Sequence, residues 1–551
     1  MDRRATLATL LGKNVEKARK MQFQPPVNAT LAPYTGTWGF DQAAHLLRRT
    51  MFAPTLAQIK EVAEKGLDAT IEQLFQELPM PDPPVNYYNR NEVVNIGETW
   101  VNKPYLGNNV SISRERSLQS WTLELLLTEG ISIREKLTLF WHNHFAINEI
   151  QDSTFVYRYI TLLRANAWGN FRNLVKEVTI DPAMLRFLNG NQNRKGAPNE
   201  NYARELMELF TIGKGNQVGP GDYSTFTEQD VAEMARALTG WRDRGYMTEE
   251  PNEKVEAYFT PNRHDTTSKQ LSHRFNNEVI TDMGDQEYAH VVDIIFQQRE
   301  VARFISRKFY RWFVYYKIDA TVEADVIEPM AQILIDNDFE VKPVLEALLK
   351  SEHFFNILSV GPMIKNPIDY VVSVLKPLNL TLPGDIEERY ETLRNFFNET
   401  GPMQMQYYNP PEVAGWKPYY QKPAFYRIWI NSSTLNRRMA FVDNTIYNGS
   451  STIDGKMQLD VLAFVKNLED PFDPNKVVER IAQIYMPQPL TQGQLTSLKE
   501  ILLPGLPDYE WGVEFSDHVS NPGDMQLANA LDSRLRDLIA TMMKMAEFYL
   551  S

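Results

Sequence analysis

Three short stretches carry side chains that can do chemistry. In Trp141-His142-Asn143-His144-Phe145 two imidazoles are separated by one residue. If that segment is extended, alternate side chains share a face and both histidines can reach one cation. On a continuous helix they stand about 200° apart and cannot. A metal site here therefore requires the preceding helix, which starts near Ser132, to end at about Trp141. The alternative has one histidine donating to a backbone carbonyl and the other packed under Phe145. Glu205 and Glu208 form an E-x-x-E pair that can present two carboxylates together, a donor set that hard cations use and first-row metals accept beside imidazole. Its alternative is an Arg204–Glu208 ion pair, with Glu205 reaching Arg236 or Lys136. His264-Asp265 places a carboxylate beside an imidazole, an arrangement suited to a metal ligand or a general base. Otherwise Asp265 caps the turn that contains Thr266 and Thr267.

Together these stretches predict one cleft. His142, His144, Glu205 and His264 would hold a divalent cation (zinc, iron, manganese or calcium), with Asp265 and Glu208 as catalytic proton carriers. Asn199, Asn201, Arg204, Trp241 and Arg242 are candidates for binding a polar or anionic ligand, because guanidinium groups suit carboxylate, sulfate and phosphate. His45, Arg48 and Arg49 read as anchors of an amphipathic helix. Trp416, Tyr419, Tyr420 and Tyr426, beside the rigid turn of Pro410, Pro411 and Gly415, offer an aromatic platform for a sugar or peptide.

The elements that must position these groups are helices. Apolar residues recur at helical spacing over 41–50, 55–65, 68–78, 117–128, 133–142, 155–165, 171–178 and 182–188. Further patterns cover 286–297, 300–316, 324–337, 341–350, 367–376, 386–397 and 425–444. The stretch 199–241 is the centre: a helix with Ala203, Leu206, Met207 and Phe210 on one side, stopped by Gly213 and Gly215, then a Gly-rich turn. A second helix follows, with Thr227 as N-cap and Asp230 three residues on, near the capping-box pattern. Residues 255–259 alternate as a strand does and should pair with the segment near Trp241 or with 279–280. The expected fold is mainly α, with a small two- or three-stranded insertion at about 241–281. Residues 1–35 read as tail and linker, 36–448 as a helical core, and 449–551 as a C-terminal subdomain with helices over 456–467, 474–485, 491–502 and 525–549.

Composition narrows the function. The chain of 551 residues has 57 basic and 70 acidic side chains, a net charge of −13. That balance argues against a dedicated nucleic-acid binder, which clusters Lys and Arg. No apolar run approaches the ~18 residues of a membrane span. With no cysteine, disulfides, thiolate metal sites and cysteine nucleophiles are excluded. No phosphate-binding G-x-x-x-x-G-K-[ST] or dinucleotide G-x-G-x-x-G pattern occurs, so no nucleotide cofactor is expected; G-x-S-x-G, H-E-x-x-H and EF-hand spacings are also missing. The N-terminal MDRRATLATLLGKNVEKARK has twin arginines and a short apolar run. A dense basic stretch follows at once and no small-residue cleavage site is apparent. The expectation is an amphipathic helix or ordered tail on a cytoplasmic chain, with a periplasmic location as the alternative.

The stretch Asn199 to Trp241 resembles the core signature of the DUF1800 family, a bacterial domain of unknown function. HLLRRTMF at 45–52, EKLTLFWHNHF at 135–145, YFTPNRHDTTSK at 258–269, and NPPEVAGW with WINSSTLNRR at 409–438 resemble its other motifs, in order. The tail from Gly449 departs from those motifs. The resemblance implies, by association, neighbours resembling sulfatases and phosphatases and hence an anionic or glycan-related substrate. Two functions follow: a metal-dependent hydrolase, or a non-catalytic helical binding or assembly protein whose signature residues are structural.

Overall fold

Polar side chains start the helices where the spacing predicts them. Thr55, Asp152, Asn170, Asp181 and Thr227 each accept a backbone N–H of the first turn, and Thr227 with Asp230 closes a full capping box. Each cap satisfies donors that a helix start leaves unpaired. The computed structural model describes residues 30–88, 93–107, 109–378, 380–448 and 459–551. The twin-arginine stretch lies outside them. The fold is mainly α, with three two-stranded antiparallel sheets among the described residues. No helix among them is long and apolar enough to cross a membrane.

The helices that matter for the site are α1 (Phe40–Thr50), α2 (Arg134–His144), α3 (Glu200–Glu205), α4 (Glu228–Ala237), α5 (Glu287–Phe296) and α6 (Arg299–Phe313). The α3 helix does not simply stop. It widens into a π turn, Leu206–Thr211, before Gly213 and Gly215 turn the chain with φ of +75° and +68°. Single π turns often sit at functional sites. The Gly-rich turn that follows holds a small hairpin, β1 (Gln217–Gly219) with β2 (Asp222–Tyr223). After α4, within the expected insertion at 241–281, come two separate two-stranded hairpins. β3 (Trp241–Arg244) pairs with β4 (Glu256–Phe259), and β5 (Lys269–Gln270) with β6 (Val279–Ile280).

Three boundaries differ from the sequence expectation, each for a local reason. The α2 helix runs on through His144. Asn143 does not end it, because its side chain accepts from the backbone of Trp416 and leaves its own backbone alone. The pattern over 425–444 is broken: a 3₁₀ stretch (Phe425–Trp429) precedes a helix (Ser432–Asp443) that Asn431 caps. An additional helix, Asp508–Ser520, buries only Trp511 and Phe515, four residues apart. That stripe is too narrow to show as a period.

One apolar core runs through the described residues from Ala43 to Tyr549. The C-terminal helices share it. The backbone N–H of Lys365 donates to the Tyr549 carbonyl at 2.8 Å, that of Ser551 donates to Met363, and Phe548 and Tyr549 pack on Tyr370.

Candidate functional site

The two histidines of α2 point to opposite sides and neither faces a common ion. His142 Nε2 lies 2.7 Å from the Tyr407 carbonyl, and His144 Nε2 lies 2.9 Å from the Phe210 carbonyl. With a carbonyl as partner, each ring must donate through Nε2. Both side chains are buried among aromatic rings, His142 against Tyr407 and Trp416, His144 between Phe140 and Phe145. Burial pushes the imidazole of His142 down to about 4 and that of His144 well below its usual value. Both stay neutral. The two-histidine chelate is thus corrected by the continuous helix.

The His144 contact has a cause in the central helix. Phe210 lies in the π turn, where the glycines leave the last carbonyls without intrahelical partners. His144 takes the Phe210 carbonyl and Lys308 Nζ takes the Leu209 carbonyl at 3.3 Å. The opening motif works in the same way. His45 Nε2 meets the Phe354 carbonyl, Arg48 donates to Ile484, and Arg49 donates to Phe313 and Val314 at the end of α6. These motif side chains bind helix and loop ends together.

Asp265 is also committed. Its Oδ2 accepts from Arg236 Nε at 2.9 Å and its Oδ1 from the Thr267 backbone at 2.9 Å. Burial alone would raise its pKa, but Arg236 and Thr267 outweigh burial and hold the carboxyl well below the usual range. So weak a base does not suit the proton-accepting role expected of it. Arg204 pairs with Glu200 and Glu228, not with Glu208. Asn199 caps α3 through Asn201 N–H, Trp241 packs between Phe259 and Tyr288, and Arg242 lies over Tyr258. Those five residues do not line a common cleft with Glu208.

His264 has a different setting. Its Nδ1 lies 2.9 Å from the Thr239 carbonyl, and its Nε2 lies 3.1 Å from Glu287 and 3.6 Å from Asp282. These three side chains form the one His/Asp/Glu group among the described residues whose donor atoms are close enough to share an ion. His142, His144 and Glu205 are not part of it. Lys269 Nζ contacts the other oxygen of Glu287, and both side chains are fully buried.

Glu208 does open into a cleft, of about 210 Å³. Asn143 enters it from α2, Glu208 and Leu209 from the central helix, and Ala414, Tyr419, Tyr420, Lys422, Phe425 and Tyr426 from the closing motif. The fourth wall is α6, which supplies Phe304, Lys308, Arg311 and Trp312. Gly415 lets the closing loop approach. Its φ is +87°, and a Cβ there would meet the Asn143 carbonyl at 2.4 Å. Glu208 pairs with Lys214 at 3.1 Å, while burial and then the Glu208 charge raise the Glu205 carboxyl. Burial, and then the charge of Arg311, push the Lys308 ammonium down to about 7. An amine with a pKa near neutrality can hold or release its proton at physiological pH.

Sequence reasoning passed over Lys308, Arg311, Asp282 and Glu287. The signal for the first two was present: cations inside the otherwise aromatic stripe Phe304, Phe309, Trp312 and Phe313. Of the platform expected from Trp416, Tyr419, Tyr420 and Tyr426, the three tyrosines line the cleft, whereas Trp416 is buried behind it against His142.

Comparison with known proteins gives one match. The family described as "Protein of unknown function (DUF1800)" matches residues 45–550, so the match runs on through the C-terminal helices that the motifs alone did not reach. No curated protein and no solved structure matches.

Proposed function

This chain belongs to the DUF1800 family of proteins of unknown function, and for it we propose a hydrolase that acts on an anionic or glycan-related substrate in the Glu208–Lys308 cleft. The observation that carries this reading is the cleft itself. Residues from three separated motifs and from α6 converge on it, and its polar groups sit in an aromatic wall. Ligand sites are concave and mostly apolar, with a few placed polar groups. Arg311 and Lys422 supply charge for an anionic group, Tyr419, Tyr420 and Tyr426 a surface for a sugar ring, and Lys308 in its neutral form a base that takes a proton from water. Glu208 is the carboxylate beside them.

A second reading is favoured by a specific observation: His45, Arg48, Arg49, His142 and His144 are all committed to backbone carbonyls. On that reading the signature residues build a binding or assembly protein and the cleft binds without turnover.

The test is titration calorimetry and turnover with sugar phosphates, sugar sulfates, uronic acids and aryl phosphate, sulfate and glycoside esters. The hydrolase reading expects binding and turnover, with Lys308→Met lowering kcat by about 10²–10⁴-fold in protein that is still folded at the assay temperature. Binding without turnover, unaffected at the catalytic step by Lys308→Met, assigns the second reading. No binding by any of these probes removes the cleft from consideration.

A further inference from the structure

The group formed by His264, Asp282 and Glu287 lies apart from the cleft and shares no lining residue with it. Two hairpins and the start of α5 meet there. His264 is 2% exposed and Glu287 fully buried, whereas Asp282 lies at the surface.

The orientation of the His264 ring sets which nitrogen faces the carboxylates. Its Nδ1 faces the Thr239 carbonyl at 2.9 Å. The Thr239 hydroxyl is also near, at 3.2 Å, but it donates its one proton to the Arg236 carbonyl at 2.7 Å. Nδ1 therefore carries a proton and donates it to the Thr239 carbonyl. The ring's Nε2 is aimed at carboxylate oxygens of Glu287 and Asp282, at 3.1 and 3.6 Å. Two carboxylates gathered at one buried imidazole nitrogen call for positive charge among them.

The spacing suits a metal ion. Nitrogen and oxygen ligands about 2.1 Å from one ion lie about 3.0 Å apart in octahedral and about 3.4 Å apart in tetrahedral geometry. A histidine that ligates through one nitrogen commonly donates the other to a carbonyl, which is the arrangement of His264 with Thr239. Lys269 contacts the far oxygen, Oε1, of Glu287, while Oε2 faces His264 and also accepts from the Met283 backbone N–H at 3.2 Å. Two carboxylates against one ammonium leave a net negative site.

We propose that His264 Nε2, Glu287 Oε2 and Asp282 Oδ1 bind one divalent first-row transition ion. The mixed imidazole and carboxylate donors suit zinc, manganese or iron, whereas calcium prefers all-oxygen ligands. Exposed Asp282 opens the ion to solvent on one side, so water completes its shell. The ion ties the loops around β5 and β6 to the end of α4 and the start of α5.

The experiment uses the full chain without an affinity tag, stripped with chelator and titrated with Zn2+ and Mn2+ by calorimetry, with Co2+ absorption as a second readout. One equivalent should bind, and Co2+ should give d–d bands that indicate nitrogen coordination. Asp282→Asn leaves the buried core untouched and should weaken binding by at least about 10–100-fold. His264→Gln should abolish the Co2+ bands. Failure of the stripped protein to bind either ion overturns the proposal, as does an Asp282→Asn variant that binds as tightly as the parent.

Discussion

Replacing His144 by Ala separates a structural role from a metal-binding one. The substitution leaves the Phe210 carbonyl, at the end of the π turn, without its donor at 2.9 Å. A buried acceptor left unsatisfied costs about 1–3 kcal/mol. It also removes a ring that is 1% exposed and lies against Phe140 and Phe145. By analogy with large-to-small core changes, that loss and the resulting cavity cost about 2–3 kcal/mol more. The expected total is about 3–6 kcal/mol. With a urea slope of about 3 kcal/mol per molar, the unfolding midpoint should fall by about 1–2 M. Trp141, whose ring lies 5.7 Å from that of His144, reports the transition by fluorescence. His144→Gln retains an N–H donor and should recover part of the loss, whereas His144→Phe fills the space without the donor and should not recover the hydrogen-bond share. Metal content should be the same in all three variants. A midpoint unchanged from the parent, together with loss of bound metal, would refute this reasoning and restore the histidine pair as ligands.

Two further outcomes follow from the geometry. His142 has a folded pKa of about 4 against an ordinary 6.5, so between those values the unfolded chain binds the proton more readily. Its contribution to stability is complete above pH 6.5 and is lost as pH falls toward 4, at about 1.4 kcal/mol per pH unit. The difference in stability between the parent and His142→Asn, measured by urea titration from pH 7 to 4.5, should shrink with that slope; a constant difference would show that the ring is not held neutral. Gly415→Ala places a Cβ 2.4 Å from both oxygens of Asn143 at a φ of +87°. It should break the Asn143–Trp416 hydrogen bond and destabilise by more than the ~1–2 kcal/mol of a left-handed residue alone. A variant of parental stability would show that the loop has room to move.

The central helix shows how much of the site was legible. Its start, its apolar face and the glycines that end it are local features, and they stand where the spacing placed them. The π turn was not legible, because Leu206–Thr211 carries ordinary helix-forming residues; its carbonyls are held by His144 and Lys308 from other helices. Glu208 was chosen as a chemical residue for its spacing to Glu205, yet its cleft is built with Lys308 and Arg311. Those two residues read as part of an amphipathic core helix.

By itself the sequence determined the mainly helical fold, most helix starts and the family, because these depend on interactions within a few residues and on ordered motifs. Only the tertiary structure decided what the motif side chains do. His45, Arg49, His142 and His144 meet backbone carbonyls at Phe354, Phe313, Tyr407 and Phe210. Every residue carries such a carbonyl, so the acceptor has no identity in the sequence. A histidine bound to one is spelled the same as a histidine bound to a metal, and packing alone determines which of the two it meets.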